Sequence, residues 1–141
     1  MSSIILFSDD TPLFILFYNN YLKENYMFGI YTKDGFNEIL AGIKIKTLVH
    51  GEKTLMSKFV MEGGSTLPKH SHPYEQTGYL LKGKIKLTIG NKSFDVNPGD
   101  SWSIESGIEH FAQVLEDSEA LEIFTPPRAD YIRHFSIKDT L

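Results

Sequence analysis

The sequence predicts an all-β fold, a barrel or sandwich of short antiparallel strands, and three observations predict it. The segment Lys84-Ile85-Lys86-Leu87-Thr88-Ile89 alternates polar and apolar residues without a fault, the period of a strand with one buried face. Gly90-Asn91 then separates it from Phe94 and Val96, which resume the alternation, and two such runs joined by Gly-Asn form a β-hairpin with a primed turn. From Phe28 onward the chain keeps this rhythm, with short runs broken by Gly, Asn, Pro and Asp and no sustained helical period in the middle. Many short strands at a regular interval make a sandwich or a barrel.

The elements follow in order. Residues 4–18 are apolar but interrupted by Asp9, Asp10 and Pro12. They are too short and too broken for a membrane span, which needs ~20 apolar residues. They lack the basic n-region and small-residue cleavage site of a signal peptide. Residues 1–27 are therefore expected to be an N-terminal extension. Either it packs as a strand or helix on the barrel or a partner subunit, or Met27 is the natural start and the preceding residues reflect start-site choice. Residues 28–141 are expected to form one domain. Ile39–Val49 is rich in β-branched residues and reads as a strand. His50-Gly51-Glu52 reads as a turn, Lys53–Met61 as a strand, and Glu62–Thr66 as a loop. After the hairpin, Asn97-Pro98-Gly99-Asp100 reads as a second turn cluster. Trp102, Ile104 and Phe111–Leu115 continue the strands, and Leu121 and Ile123 mark one more before Pro126-Pro127. The tail after Arg128 is expected to be irregular or a short helix.

With 141 residues, 41% hydrophobic and 23% charged, the chain has the balance of a globular domain large enough for one core. A formal net charge of −4 and singly scattered lysines supply no basic stripe, which argues against nucleic acid as a partner. The chain has no cysteine, so any metal must be held by His, Asp, Glu or an amide oxygen. The cytoplasm is the expected location.

Five histidines stand at 50, 70, 72, 110 and 134. Residues i and i+2 of a strand share a face, so His70 and His72 aim two imidazoles at one point. The same parity brings Tyr74 and Gln76 to that face and puts Glu75 on the other, provided no bulge intervenes. Taken alone, the pair reads equally well as polar residues on an exposed strand. His50 reads as a solvated turn residue, and His134 as a capping or packing residue in the tail.

The surrounding spacing resembles the cupin family. The family's first motif is matched by Gly64, five residues, His70-Ser71-His72, three residues, Gln76, six residues and Gly83. The second is matched by Gly99, five residues, Glu105-Ser106-Gly107, two residues and His110. The resemblance implies a double-stranded β-helix, or jelly-roll barrel, with metal motifs at 64–83 and 99–110. It also implies one divalent transition metal ion per chain, held by His70, His72, Gln76 and His110. Three departures stand out: Gln76 where most members carry Glu, Glu105 where they carry Pro, and Val114 where they carry Asn. A neutral amide is a weaker ligand than a carboxylate, so the centre should hold metal less tightly and polarise a bound oxygen more strongly. Glu75 is the rival ligand if the register slips. Zn, Ni, Mn and Fe all suit imidazole and oxygen donors. Trp102, Tyr79, Phe94 and Phe111 are candidates for the cavity wall, and a small barrel leaves room only for a small ligand.

In the run LEIFTPPR, Glu122 and Phe124 share one strand face, and Arg128 follows a Pro-Pro pair that stiffens the exit. Physically this reads either as surface and contact residues or as an acid, a ring and a carboxylate-gripping fork. HSHPYEQTGYLLKG, PGDSWSI and EIFTPPRADYI resemble the cupin subgroup that includes the pectin-degradation uronate-ring-opening proteins. There an acid, an aromatic residue and an arginine at this spacing line the site, although those proteins carry Asp where this chain has Glu122. The resemblance implies a metal-dependent isomerase or lyase for a small carboxylated sugar. In it Glu122 and Arg128 are catalytic and Phe124 binds substrate. An Fe-dependent dioxygenase and a non-enzymatic ligand-binding cupin are the alternatives. An apolar strand edge and the aromatic N-terminus to cover predict a homodimer, with a small molecule rather than nucleic acid or membrane as the other partner.

Overall fold

Two long strands organise residues 27–132, the part of the chain described by the computed structural model. In chain order the elements are β1 (Asn37–Leu40), β2 (Ile43–His50), β3 (Leu55–Met61), β4 (Thr66–His70), β5 (Glu75–Ile89), β6 (Lys92–Val96), β7 (Ser101–Ile104), β8 (His110–Thr125) and a single helical turn, α1 (Ala129–Ile132). All pairings are antiparallel. The first half of β5 pairs with β7 and its second half with β6. The first half of β8 pairs with β4 and its second half with β3, which continues through β2 to β1. β5 and β8 pair with each other along nearly their whole length. They therefore run through both layers of a jelly-roll barrel, the architecture expected from the sequence.

Alternation carries the core. Every second residue of β3, from Leu55 to Met61, is buried, and β8 buries His110, Ala112, Val114, Ser118, Ala120, Glu122 and Phe124 on one face. Ile43, Ile45, Leu55 and Leu80 are fully enclosed, each contributing about 1.5–3 kcal/mol of burial. The hairpin stands where it was expected. Gly90-Asn91 is a two-residue turn between Ile89 and Lys92, and Gly90 adopts a φ of 59°, which a primed turn requires of its first central residue. Asn97–Asp100 also turns, closed by the Asp100 amide donating to the Asn97 carbonyl at 3.0 Å.

Four expectations need correction. The run Ile39–Val49 is split by a turn at Ala41-Gly42 into β1 and β2, because Gly42 takes a φ of 75°. Phe111–Leu115 and the Leu121–Ile123 strand are one strand, β8, since both halves pair along β5. His70 and Gln76 do not share a strand, because residues 71–74 form the β4–β5 connection. Tyr79 and Phe94 are exposed. Tyr79 alternates with the buried Gly78 and Leu80 of β5, and Phe94 lies on β6, which among the described residues ends the sheet path beside β5.

Where β5 crosses between layers, its register with β8 shifts around Gly83, which has a φ of 88°. A Cβ there would overlap Ser118 Oγ and the Asp117 carbonyl and lie 2.6 Å from Ser118 Cα. Gly83→Ala is expected to destabilise the fold by roughly 2–5 kcal/mol, from overpacking and the left-handed backbone together. Urea denaturation reads this directly, and an unchanged midpoint would contradict the crowding.

Candidate metal centre

Three histidines reach one point from three places. His70 ends β4, His72 lies in the β4–β5 connection, and His110 begins β8 directly opposite His70. The Gly107 amide donates to the His72 carbonyl at 2.9 Å, tying the first motif to the turn that precedes His110. Their ligand atoms all lie within 4.8 Å of one another. Gln76, at the start of β5, is buried and faces them, whereas Glu75 is exposed and points outward. The rival ligand is therefore on the wrong face.

The tautomers follow from hydrogen bonding. Each Nδ1 meets a backbone carbonyl, His70 that of Pro68 at 2.7 Å, His72 that of Tyr74 at 3.0 Å and His110 that of Ile108 at 2.8 Å. A carbonyl can only accept, so each Nδ1 carries the proton and each Nε2 presents a lone pair. This is the arrangement that orients imidazoles toward a cation. Burial, with Arg128 and His70 nearby, holds the His72 pKa below its usual value. Burial lowers that of His110 to about 4, so it is neutral at pH 7. His110 Nε2 is buried with no hydrogen-bond partner, and His72 Nε2 faces Gln76 Oε1 at 3.0 Å. An unpaired buried lone pair, and two acceptor atoms turned toward each other, are costly unless a cation joins them. The three imidazoles could therefore hold a divalent metal ion, with Gln76 Oε1 beside His72.

Because the Gln76 amide is neutral, as the imidazoles are, Gln76→Glu would add a charged ligand and is expected to tighten Zn(II) binding by at least about tenfold, since a single outer hydrogen bond already acts on that scale. Chelator competition measures it, and an unchanged affinity would take Gln76 out of the ligand set.

The acid, the ring and the arginine come together beside the histidines. Glu122 and Phe124 point inward from β8, and the Phe124 ring lies 5.9 Å from the His72 ring. Burial pushes the Glu122 pKa up to about 8, while Gln76 and Trp102 draw it down. The Arg128 guanidinium lies 3.9 Å from the Tyr131 ring, 5.1 Å from Phe124 and 5.4 Å from Tyr74. Its fork is partly engaged: Nε and Nη2 donate to the two Asp130 oxygens at 3.2 and 2.8 Å. A second carboxylate must therefore approach another edge of the guanidinium. A cavity of about 40 Å³ is lined by His70, Gln76, His110, Glu122, Phe124 and Arg128 among others, with room for an ion and a few water-sized groups.

Trp102 and Phe111 line this cavity as expected. Tyr131 and Asp130 were missed. Tyr131 is buried on α1 and packs edge-on against Phe124 at 5.3 Å, and the run ADYI directly after Arg128 was the signal for both. His50 is half-buried at the end of β2, where it lines a shallow outer depression with Met56 and Ile123 rather than the histidine cluster. His134 and residues 1–26 lie outside the described residues.

Residues 57–125 match the family model of the cupin domain. The uncharacterized protein SCO3923 of Streptomyces coelicolor is 24% identical over 72 residues, 50% of this chain and 69% of its own length. The structure of KdgF from Halomonas sp. superposes with a TM-score of 0.70 at 25% identity, covering 73% of this chain and 96% of that one. An RmlC-like cupin from Shewanella frigidimarina gives a TM-score of 0.70 at 20% identity over 74% and 94% of the two chains, a likeness of fold alone.

Proposed function

Because the chain belongs to the cupin family, we propose that it is a metal-dependent isomerase or lyase. It would act on a small carboxylated sugar or related polar metabolite, with one divalent ion at His70, His72, Gln76 and His110. The observation that carries this reading is the cluster of three Nε2-presenting imidazoles, two of which, His70 and His110, line one small cavity together with Glu122, Phe124 and Arg128. The motif resemblance to the uronate-ring-opening cupins adds the substrate class.

A divalent ion in this centre supplies Lewis acidity to a substrate hydroxyl or carbonyl. Glu122, buried beside it, carries the proton on its carboxyl and passes it to the reacting atom. Phe124 packs against the sugar ring. Arg128, held in place by Asp130 and stacked on Tyr131, takes the substrate carboxylate on its remaining edge. The walls admit only the reacting end of such a ligand, which favours a monomeric metabolite over a polymer.

The test is turnover of an unsaturated uronate by the purified chain reconstituted with Zn, Ni, Mn or Fe in turn. Conversion with at least one metal supports the reading. No conversion with any of them removes the sugar and leaves the oxygenase or ligand-binding alternatives. The outward-facing Tyr79, Leu81 and Ile123 are exposed and support the homodimer expected from the sequence. Light scattering at micromolar concentration should give twice the chain mass, and a clean monomer would refute it.

A further inference from the structure

Lysines that stand singly along the sequence meet on the outer face of the barrel. Lys44 and Lys46 alternate with the buried Ile43, Ile45 and Thr47 of β2. Lys58 alternates with the buried Ser57 and Phe59 of β3. All three side chains therefore leave the sheet on the side away from the core. Lys46 and Lys58 are ladder partners, and like charges placed directly opposite repel.

The chain before β1 roofs this face. A Cβ at Gly29 would lie 2.5 Å from the Leu48 carbonyl oxygen, so the backbone there runs against β2. The Lys46 ammonium donates to Thr32 Oγ1 and, at 2.7 Å, to the Asp34 carbonyl, and it stands 6.0 Å from the centre of the Phe36 ring. Lys46 is buried under this cover. Between the cover and the sheet lies a pocket of about 360 Å³, lined by Lys33, Lys44, Lys46 and Lys58 and by Tyr31 and Phe36.

Among the described residues, the one acid that lines the pocket is Glu119, and Lys58 holds it at 2.7 Å. Lys33 and Lys44 form no ion pair among the described residues. The whole chain carries a net charge of −4, so the pocket reverses the sign of its surroundings. A concave site lined by one sign of charge concentrates ions of the other. An ammonium is a point charge that suits phosphate, whereas a planar carboxylate is gripped best by a guanidinium fork, and no arginine lines this pocket among the described residues. No residue lines both this pocket and the cavity of the metal centre.

We propose that this pocket is a second binding site, for a small phosphorylated metabolite whose phosphate rests on Lys33 and Lys44 and whose ring lies against Tyr31 and Phe36. A merely solvated lysine face would attract anions without saturating and without regard to these two side chains.

Phenyl phosphate is the probe, titrated into the full chain by calorimetry, with phenol as the uncharged control. Phenyl phosphate should bind saturably with a Kd of about 1 mM or tighter, more weakly as salt is raised, and phenol should not bind at this strength. The double variant Lys33→Gln, Lys44→Gln changes two exposed side chains, and circular dichroism checks its fold. It should weaken binding by at least about tenfold, the scale of one lost charge-assisted hydrogen bond. His110→Ala should bind the probe as the parent does. Absence of saturable binding would overturn the proposal, as would parent-like affinity in the lysine variant or equal binding of phenol. Loss of binding in His110→Ala would place the anion at the metal centre and overturn it equally.

Discussion

His110→Ala and His72→Ala are each expected to lose essentially all bound metal while retaining the barrel. The centre has only neutral donors, so no carboxylate remains to hold the ion once an imidazole is gone. The fold does not depend on them in the same way, because β8 is held by its own ladders with β4 and β5. Elemental analysis of the purified variants reads the metal, and circular dichroism reads the fold. Full occupancy in either variant would remove that residue from the ligand set. A pH dependence accompanies the substitution in the metal-free protein. The folded-state pKa of His110 is about 4 against an ordinary 6.5, so between these values the unfolded chain binds more protons than the folded one. Stability should therefore fall as pH drops from about 6.5 toward 4. His110→Ala should flatten that slope, and urea denaturation across this window measures it.

The second large effect is on turnover. Glu122→Gln preserves shape but cannot transfer a proton, so kcat should drop by roughly 10²–10⁴ while metal content stays at the parent level. Arg128→Lys keeps the charge but loses both the planar fork and the stack on Tyr131. Losing one charge-assisted hydrogen bond costs about 1.5–3 kcal/mol, which should appear as a rise in KM of about ten- to a hundredfold. Phe124→Ala should loosen both substrate and barrel, since Phe124 is among the fully buried side chains and such a truncation costs roughly 3–5 kcal/mol. Kinetics and metal analysis on the same preparations separate the roles. Parent-like turnover in the Glu122 and Arg128 variants would make the cluster structural and leave the metal centre as the functional feature.

The amino-acid sequence by itself determined the all-β class, the hairpin at Gly90-Asn91 and the three histidines that the structure brings together and that could hold a metal ion. Each is a local matter of alternation, turn residues or spacing, and such signals need no knowledge of what lies opposite. The tertiary structure decided what depends on register between distant segments. Gln76 faces the imidazoles although residues 71–74 are not strand, because β5 buries even-numbered positions from Gln76 to Leu80. Tyr79 is on the outside for the same reason. Asp130 takes one edge of the Arg128 fork only because α1 turns immediately after the strand exit. The Trp102 indole lies against β5 only because its ladder partner there is Gly78, which has no Cβ in the way. Each imidazole presents Nε2 because a backbone carbonyl two residues away accepts a hydrogen bond from its Nδ1–H. Those carbonyls are oriented by how the chain bends, which side-chain spacing does not encode.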